Sequence, residues 1–386
     1  MFKGIDFFDV ESGLTPMARQ IRETTRVFVE REVMPVIREH YRAGTFPLDL
    51  VMRMGELGML GASLSGYGLP GLDSIAYGLL MQELERGDSA LRSFASVQGA
   101  LVMYSIMTFG SDEQKQRWLP LLASGRAIGC FGLTEPGYGS DPGGLTTRAL
   151  EKEKNFILNG TKMWITNGSI ADVALVWAKL GEEIRGFLVE KGTPGFSARE
   201  ITGKLSLRAS DTGTLILNEA CVPAENMLPA ASGLSGPLAC LNQARYGIVW
   251  GAIGAAMACF EEILDYTGKR QLFGRPMAAY QLTQAKLADM VSGITKGQLL
   301  SMQLGRLRDA GRLRHAQISL AKRENVRMAL EVARTCRGML GANGITDWFQ
   351  TMRHMCNLES VDTYEGSYEI HTLVLGKELT GIDAFS

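Results

Sequence analysis

The spacing at which apolar residues recur changes twice along these 386 residues, and this constrains the fold more than any single motif. In the first third the spacing is helical, as in Val29 and Val33. Thr15 followed by Pro16 is typical of a helix start, where a hydroxyl caps the helix and proline occupies its first turn. We therefore expect an N-terminal helical domain over residues 1–125.

The second segment, residues 126–232, has the two-residue spacing of β-strands. Runs rich in β-branched and aromatic residues include DVALVWAKL, RGFLVEK and GTLILNEACVP. The run NFILNGTKMWITNG carries Asn159-Gly160 between two apolar stretches, which predicts a β-hairpin with its turn at that dipeptide. We expect this segment to form a β domain.

Helical spacing returns in the third segment, residues 233–386. The longest apolar run, Tyr246–Phe260, contains three glycines and is shorter than the ~20 residues that a membrane-spanning helix needs. We expect it to be a helix buried on all sides, with no membrane insertion. Consecutive long helices indicate a bundle. The pattern predicts four of them, at about 235–267, 279–308, 313–340 and 366–380.

Composition and missing motifs exclude several classes of function. The formal net charge of -1 gives no reason to expect a nucleic-acid partner. The six cysteines form no CxxC motif and do not pair with the four histidines, so neither a metal site nor a disulfide framework is predicted. The fingerprints of the two commonest nucleotide-binding folds are absent. The first residues, MFKGIDFFDVESG, lack the features of a signal or transit peptide, so we expect a cytoplasmic protein.

Four short motifs could carry chemistry, and each also has a plain structural explanation. CFGLTEPGYGSDPGG (130–144) could cradle a flat ring or a phosphate, or simply connect two elements. Trp164 and Thr166, two residues apart on a predicted strand, suit a ring with polar edges or a protein core. The arginines of KRQLFGRP (269–276) could pair with a pyrophosphate or form a solvated turn. MLGANGI (339–345) could be no more than a helix C-cap.

Two charged residues raise the sharpest question about function. Glu365 lies in NLESVDTYEGSYEIHT and could be a solvated carboxylate or a catalytic base. Glutamate is mostly exposed in folded proteins, so the residues alone favour a solvated carboxylate. Arg92, in ALRSFAS, is likewise expected at the surface when no other information is used.

Five motifs, taken in order and at their observed spacings, resemble the acyl-CoA dehydrogenase family. They are CFGLTEPGYGSD, NGTKMWITNG, RQLFG, MLGANGI and TYEG. Longer stretches resemble the branch of that family that acts on glutaryl-CoA. These are LERGDSALRSFASVQ, GKLSLRAS, CLNQARYGIVWG and NLESVDTYEGSYEIHTLVLGKELTGIDAF. The resemblance covers about residues 5–385, which is essentially the whole chain.

The resemblance implies a mainly α fold with a central β domain. Its parts are an N-terminal helical domain, a middle β-barrel-like domain and a C-terminal four-helix bundle, in the order of the three segments described above. It also implies FAD as the cofactor, bound between the β domain and the bundle. A homotetramer whose FAD touches a neighbouring subunit, and an electron-transferring flavoprotein as the electron acceptor, are further implications.

The same resemblance implies which residues hold FAD. The loop that begins near residue 130 and the strand that carries Trp164 would line and flank the flavin ring. The KRQLFGRP motif would reach the FAD of the partner subunit, and the MLGANGI motif would hold its diphosphate or adenosine side. The full set is Phe131, Leu133, Thr134, Gly139, Ser140, Trp164, Thr166, Arg270, Phe273, Gln281, Leu340, Gly341, Ser367 and Phe385.

By resemblance, Glu365 is the base that removes the α-proton of an acyl-CoA thioester. In the family, the thioester oxygen is held by a flavin ribityl hydroxyl and by the backbone N–H of the base itself, which stabilises the charge that develops there. Gly366 would let the ligand approach that backbone closely. Burial beside an apolar acyl chain should raise the pKa of Glu365 toward neutrality.

The resemblance also implies a substrate with a second carboxylate. Arg92 matches the ligand of the glutaryl carboxylate, and Tyr364 matches the type of enzyme that decarboxylates. Arg245 matches a position that contacts CoA or orders its site, and Gly366 follows the base. Ser140 would lie at the start of the thioester pocket. The other substrate residues implied, close to Arg92, are Glu85, Ser93 and Ser96. The implied reaction is oxidation of glutaryl-CoA and loss of CO2 to give crotonyl-CoA.

Other functions stay open at this point. The chain could oxidise another acyl-CoA or dicarboxylyl-CoA without decarboxylation, or an acyl group on a carrier protein. An oxidase that uses O2 would produce peroxide. A catalytically silent flavoprotein used for assembly would be expected to have lost the base, yet Glu365 is present. A helical scaffold without a cofactor would not need the five ordered motifs.

Overall fold

Helices fill the first part of the computed structural model, which describes residues 5–385. The Thr15 hydroxyl accepts a hydrogen bond from the Ala18 N–H at 3.1 Å, which confirms the predicted cap. Ser111 and Gln114 form a reciprocal capping box, also as predicted. Two π-helical turns, Val29–Val33 and Val97–Met103, link successive helices. The helices are α1 (Pro16–Phe28), α2 (Met34–Ala43), α3 (Asp49–Glu56), α4 (Ser74–Gly87), α5 (Ser89–Ser96), α6 (Tyr104–Phe109) and α7 (Asp112–Ala123), with a small hairpin of β1 (Ser65–Gly66) and β2 (Leu69–Pro70) between α3 and α4.

A seven-stranded sheet occupies the middle of the chain. Its strands are β3 (Gly129–Gly132), β4 (Arg148–Lys152), β5 (Asn155–Thr166), β6 (Val173–Leu180), β7 (Glu183–Glu190), β8 (Phe196–Glu200) and β9 (Thr212–Pro223). They are arranged β3-β6-β4-β5-β9-β8, and β7 pairs with β6. β6 runs parallel to β3 and β4, and the remaining pairs are antiparallel.

The hairpin predicted at Asn159-Gly160 is wrong. Residues 155–166 form the single strand β5, and the turn lies earlier, between β4 and β5, where Lys152 pairs with Asn155. Asn159 and Gly160 mark a bulge in β5 instead. The Asn159 side chain pairs across the bulge with Glu219, and a Cβ at residue 160 would lie 2.4 Å from the Thr147 hydroxyl. The dipeptide therefore serves a close approach between neighbouring strands, which glycine also permits.

The third part of the chain is helical again. A hairpin of β10 (Gln271–Leu272) and β11 (Arg275–Pro276) separates its first two helices. The pattern predicted four of the five helices but missed Thr351–Thr363, and the last helix begins at Tyr368 rather than near 366. The helices are α8 (Ser235–Lys269), α9 (Gln281–Asp309), α10 (His315–Met339), α11 (Thr351–Thr363) and α12 (Tyr368–Thr380).

Helix α8 is the central helix of the molecule. Within residues 5–385 it is the one helix long and apolar enough to cross a membrane, but 83% of its most apolar window is buried inside the protein. The prediction of a helix buried on all sides is confirmed for Tyr246–Phe260, whose residues are all buried. All six cysteines are free thiols, and no group of three or more His, Cys, Asp or Glu side chains in the described ranges could hold a metal ion.

The apolar core joins the first and last parts of the chain. One cluster of buried residues includes Leu80 of α4, Phe94 of α5, Trp250 of α8 and Ala321 of α10. α4 and α8 approach so closely that a Cβ at Gly254 would lie 1.9 Å from the Gln82 carbonyl oxygen. The four helices α4, α5, α8 and α10 therefore meet side by side, and charged residues on their facing surfaces are forced together.

Candidate active site

Glu365 lies in the short connection between α11 and α12. Its φ is 55°, in the left-handed region that non-glycine residues seldom occupy, and Gly366 follows with a φ of 98°. Such a backbone persists where surrounding contacts hold it, and it is concentrated at active sites and ligand clamps. Ser367 caps the N-terminus of α12, where its hydroxyl accepts from the Ile370 N–H and donates to Glu369 at 2.8 Å.

Two cations, the buried Lys322 and the half-buried Arg245, hold the backbone around Glu365. The Lys322 ammonium, on α10, donates to the carbonyl oxygen of Tyr364 at 2.6 Å and to that of Gly366 at 2.5 Å. Arg245, on α8, donates through Nε to the carbonyl oxygen of Glu365 at 2.7 Å. Three consecutive carbonyl groups thus accept hydrogen bonds from charged side chains, which fixes the left-handed conformation from two different helices.

Lys322 is a residue that the sequence analysis missed. Only 1% of its surface is exposed. It falls on the apolar face of α10, beside Ala321 and one turn from Ile318 and Val326, all of which are buried. A lysine on the apolar face of a helix is unusual, because lysine is almost never fully buried unless it is paired. That position was the signal by which the sequence could have revealed it.

The carboxylate of Glu365 is free to accept a proton. Its Oε2 atom is buried and has no hydrogen-bond partner in the described part of the chain. Burial raises the pKa of Glu365 above its usual 4.5, while the charges of Arg92, Lys322 and Arg245 act in the opposite direction. A carboxylate with a raised pKa and an unused oxygen suits general base catalysis near neutral pH.

Arg92 is not at the surface, as the residues alone suggested, but has no exposed area. Its Nε donates to Oε2 of Glu85 at 2.7 Å, and Glu85 is equally buried. Its Nη2 donates to the hydroxyl of Tyr364, and the guanidinium lies 5.4 Å from the centre of that ring. Gly251 makes room for the pair, because a Cβ there would lie 1.9 Å from Oε2 of Glu85.

Several polar atoms around Arg92 have no partner. Buried polar groups in native proteins are nearly always hydrogen-bonded, so a cluster of exceptions indicates a group that binds there. Ser93, the next residue along α5, is also buried. The unpartnered buried atoms within residues 5–385 include Arg92 Nη1, Glu85 Oε1, Ser96 Oγ and Tyr77 Oη. Tyr77 is a second residue that the sequence analysis did not select. Nη1 is a donor of fixed charge, which suits a carboxylate.

The loop after β3 meets β5 at Lys162 and Met163, the two residues before Trp164. Phe131 packs its ring against Trp177 in the core, with the ring centres 6.0 Å apart, and the residue is buried. The Leu133 carbonyl accepts from Lys162, and the Thr134 carbonyl accepts from the Met163 N–H at 2.9 Å. The structure thereby brings the 130–144 loop beside Trp164.

Trp164 has the features of a contact residue for a flat ring. Its φ is 62°, at an irregularity in the pairing of β5 with β9, and 57% of its surface is exposed. Thr166, two residues on, is half-buried. Gly139 and Ser140 are exposed in the loop, and nothing lies within 4 Å of a Cβ built at Gly139. This open loop beside an exposed indole fits a bound aromatic cofactor.

The remaining cofactor candidates lie on the helical part of the chain. Phe273, at the tip of the β10–β11 hairpin, is 97% exposed, and Arg270 and Gln281 near it are exposed too. Arg270 lines a groove of about 480 Å³ together with Tyr266. Asn343, at the Gly-rich end of α10, donates to the Tyr266 hydroxyl at 3.2 Å.

The two cofactor candidates at the Gly-rich end of α10 differ in exposure. Leu340 is buried in the core, and Gly341 is exposed with a φ of 61°. Phe385, beyond α12, is 52% exposed. The structure thus brings the catalytic and substrate candidates together around Arg92 and Glu365, except for Ser140, which is exposed in the sheet loop. It spreads the cofactor candidates over the sheet loop, the hairpin, the end of α10 and the chain end.

Comparison with known proteins identifies the family. The chain matches all three domains of the acyl-CoA dehydrogenase family: the N-terminal domain over residues 15–126, the middle domain over 130–220 and the C-terminal domain over 231–380. The chain therefore belongs to the acyl-CoA dehydrogenase family, and it is an oxidoreductase of that type with the predicted fold.

Three relatives show how similar the chain is to characterised members. It is 53% identical to a glutaryl-CoA dehydrogenase from Mycobacterium smegmatis, with full coverage of both chains and a TM-score of 0.98. It is 52% identical to a glutaryl-CoA dehydrogenase from the same organism in complex with FADH2, again with full coverage and a TM-score of 0.99. It is 34% identical to the mitochondrial short-chain specific acyl-CoA dehydrogenase of Rattus norvegicus, over 94% of this chain and 89% of that one.

Proposed function

We propose that this acyl-CoA dehydrogenase oxidises glutaryl-CoA and decarboxylates the product to crotonyl-CoA and CO2. The observation that carries the proposal is the fully buried Arg92, whose Nη1 has no hydrogen-bond partner. Its Nη2 donates to Tyr364, and this bond links Arg92 to the Glu365 loop. A buried cation with an unused donor is expensive unless a bound anion completes it. The 53% identity to a glutaryl-CoA dehydrogenase supports the same substrate.

Glu365 removes a proton from the carbon next to the thioester carbonyl. Its free Oε2 accepts that proton. The N–H of the same residue, which has no acceptor in the described part of the chain, donates to the carbonyl oxygen and stabilises the negative charge that forms. FAD, when bound, supplies the acceptor for the hydride that leaves the β-carbon. The loss of a proton and a hydride creates the double bond.

Arg92 recognises the distal carboxylate of the substrate. Nη1 donates to one carboxylate oxygen, and the unpartnered hydroxyl of Ser96 donates to the same group. Glu85 holds the guanidinium in place through Nε. Ser93, also buried, lies beside Arg92 on the same helix. Because Arg92 is fully buried, an acyl-CoA without that carboxylate would leave Nη1 unpaired, and this penalty selects the diacid.

Decarboxylation follows from the position of the same carboxylate. After oxidation, the double bond lies between the α- and β-carbons, so the γ-carbon that bears the carboxylate is linked through it to the thioester carbonyl. Breaking the bond to CO2 leaves its electron pair delocalised into the thioester as a dienolate. Glu365, now protonated, returns a proton to the terminal carbon, which gives crotonyl-CoA and restores the carboxylate. Tyr364, which accepts a hydrogen bond from Arg92 and precedes the base, fits a role beside the departing carboxylate.

The FAD site proposed for this chain combines two of the exposed regions. Trp164, Thr166 and the loop with Leu133, Thr134, Gly139 and Ser140 would hold the flavin. Phe273, Arg270 and Gln281 would contact the FAD of a partner subunit in a homotetramer, since a phenylalanine with 97% exposure at a hairpin tip needs a partner surface. Electrons would then pass to an electron-transferring flavoprotein in the cytoplasm. Phe131 would contribute its backbone, and Leu340, Gly341, Ser367 and Phe385 complete the proposed set.

A second candidate substrate is a short-chain acyl-CoA without a distal carboxylate. The 34% identity to a short-chain specific enzyme supports it, and so does Glu85, which already pairs with Arg92 and partly balances its charge. Glu365 would be the base for this substrate as well.

Anaerobic titration of the purified protein separates the two candidates. Glutaryl-CoA should bleach the visible flavin band, and mass analysis should find crotonyl-CoA and CO2. Bleaching by butyryl-CoA alone would replace the diacid by a simple acyl substrate. Bleaching by glutaryl-CoA with glutaconyl-CoA as the final product would keep the diacid and reject decarboxylation.

A further inference from the structure

We propose that Lys322 is a positioning residue that strengthens the Glu365 N–H as a hydrogen-bond donor to the thioester carbonyl of the substrate. The inference rests on the proposed use of that N–H during proton removal, and it holds for any acyl-CoA. Lys322 touches neither the substrate nor the reacting atoms. It acts through the peptide group that joins Tyr364 to Glu365.

The geometry places the cation on the opposite end of the same amide. The carbonyl oxygen of Tyr364, which accepts from Lys322 at 2.6 Å, and the N–H of Glu365 belong to one planar peptide group. A charged donor at the oxygen withdraws electron density from the nitrogen, so the N–H becomes a stronger donor. Hydrogen bonds in a chain polarise one another in this way, and the effect is larger where water is excluded.

The next peptide group is arranged in the same way. Arg245 donates to the carbonyl oxygen of Glu365, which shares its amide with the N–H of Gly366. Neither the Glu365 N–H nor the Gly366 N–H has an acceptor within the described ranges. Two polarised and unused N–H groups side by side form a site for developing negative charge, in which the carbonyl ends are held by protein cations.

The groups around Lys322 determine the pH range in which it is charged. Burial is the largest influence on Lys322 and lowers its pKa to about 7, and the charges of Arg245 and Arg92 act in the same direction. The charges of Glu365 and Asp362 act in the opposite direction. The buried His371 also lies near this loop: its Nε2 would be 3.0 Å from a Cβ built at Gly366. Burial lowers the pKa of His371, so the ring is neutral at physiological pH. On the acid side of neutrality, Lys322 is the charged group that contacts the loop from α10.

A purely structural role for Lys322 would hold the loop without changing the donor. The two roles differ in one measurable quantity, the stretching frequency of the bound thioester carbonyl. A stronger donor lowers that frequency further from its value in free acyl-CoA. Loss of packing alone changes the stability and the affinity but leaves the frequency of the correctly bound fraction where it was.

The experiment is infrared difference spectroscopy of holoenzyme with butyryl-CoA labelled with ¹³C at the thioester carbonyl. Glu365→Gln in all samples prevents turnover, and the pH is kept on the acid side of neutrality so that Lys322 is charged. We expect the downshift of the carbonyl band to shrink in Lys322→Met and to be intermediate in Lys322→Gln, which keeps a neutral donor. If the carbonyl band has the same downshift in the parent as in either folded variant, the proposal is overturned.

Asn325→Leu is the matched control. Asn325 is buried one turn away on α10 and donates to the Val249 carbonyl and to Ser301, both at 3.0 Å, without touching the Glu365 loop. Its loss should reduce stability and leave the carbonyl band unchanged. A band that shifts as much in Asn325→Leu as in Lys322→Met would assign the effect to general destabilisation and reject the role of Lys322.

Kinetics give a second readout with Glu365 intact. We expect Lys322→Met to lower kcat by about 10- to 100-fold with little change in KM, less than the ~10²–10³-fold seen when an oxyanion donor is removed outright. A rise in KM at constant kcat would contradict the proposal. Because butyryl-CoA carries the same thioester, failure of the glutaryl-CoA proposal would leave this test intact, and failure of this test would leave the diacid question open.

Discussion

Two buried pairs of a cation and a carboxylate lie in different parts of this protein, and they differ in what they leave unbonded. In the sheet region, Lys162 and Glu135 are 2.9 Å apart, and the two Glu135 oxygens also accept from the N–H and hydroxyl groups of Thr146 and Thr147. Between α4 and α5, Arg92 and Glu85 are 2.7 Å apart, yet each keeps one buried polar atom without a partner. The first pair is complete within the chain, and the second is not.

The difference separates a structural pair from a binding pair. A buried ion pair is tolerated when hydrogen bonds satisfy its remaining atoms, as they do around Glu135. The Lys162–Glu135 pair ties the 130–144 loop to β5, because Lys162 also donates to the Leu133 carbonyl at 3.1 Å. The Arg92 pair has unused donors next to a base with an unused acceptor, and its missing partner is the substrate in our proposal.

The largest effect should come from Glu365→Gln, which removes the base and leaves the pocket's shape. General base catalysis contributes about 10²–10⁴-fold, so we expect flavin reduction by acyl-CoA to slow by a factor near the top of that range. Stopped-flow reduction under anaerobic conditions measures it. Glu359→Gln, an exposed change on α11, is the control and should keep the parental rate. A Glu365→Gln enzyme within tenfold of the parent would remove Glu365 as the base.

Arg92→Leu tests the incomplete pair and should lower kcat/KM for glutaryl-CoA by roughly 30- to 1,000-fold. This corresponds to the loss of a buried, hydrogen-bonded charge pair. Butyryl-CoA should lose less than about tenfold, because it lacks the carboxylate and is affected only by packing, the stranded Glu85, the lost contact with Tyr364 and the higher pKa of Glu365. The control is Arg353→Leu, which breaks a different buried pair, with Asp88 at 2.9 Å. Equal losses for both substrates in Arg92→Leu would contradict a carboxylate-binding role.

Lys162→Met tests the complete pair and should act on stability rather than on substrate choice. Removing one partner of a buried ion pair costs about 3–5 kcal/mol, and the four hydrogen bonds from Thr146 and Thr147 that remain on Glu135 place this variant near the lower end. Urea unfolding measures the change. The ratio of glutaryl-CoA to butyryl-CoA activity should stay at the parental value, and a changed ratio would mean that the two pairs do not differ as described.

The smallest effect is on pH dependence, where the carboxylates of the two regions shift in opposite directions. Burial raises the pKa of Glu365, so dehydrogenation should fall as the pH drops through a value above 4.5. Arg92 and Lys322 lower that pKa, so removing either should move this limb to higher pH. The pH profile of kcat/KM measures both, and an acid limb at or below 4.5 would contradict the raised pKa.

Glu135 gives the opposite case. Burial alone would raise its pKa, but hydrogen bonds from Thr146, Thr147 and Lys162 outweigh burial and lower it to about 2. The ionised form therefore stabilises the fold above the usual pKa of 4.5, and this contribution is lost as the pH falls from about 4.5 to about 2. The free energy of unfolding of Glu135→Gln should be lower than that of the parent at neutral pH, and this difference should disappear near pH 2.

The sequence predicts elements well where one face of an element is apolar. Strands β6, β7 and β9 and four of the five C-terminal helices follow from spacing alone, whereas β3, β4 and β8 were not predicted. Helix α11 was missed because its buried face is polar: Thr351, Arg353, His354 and Asn357 are all buried there. The turn at Asn159-Gly160 was wrong because the same dipeptide also suits a bulge, and only the neighbouring strand decides between them.

The site was harder to predict than the fold because its properties depend on contacts between distant segments. Nothing near Arg92 in the sequence shows that it is buried, since the space for its pair with Glu85 is provided by Gly251, on another helix. The resemblance to the family supplied Glu365 and Arg92, whereas Lys322 and Tyr77 emerged only from the structure. The assignments of individual residues and the domain boundaries near 125 and 232 stay predictions.

The most direct test of the incomplete pair compares two ligands that differ in charge but not in shape. Calorimetric titration of the Glu365→Gln holoenzyme with glutaryl-CoA and with glutaramyl-CoA, its terminal amide, gives a ratio of affinities. We predict a preference for the acid of about tenfold or more, equivalent to about 1.4 kcal/mol. That preference should vanish in the added Arg92→Leu background and persist with Arg353→Leu. The same preference with and without Arg92 would contradict the claim that this buried arginine binds the substrate carboxylate.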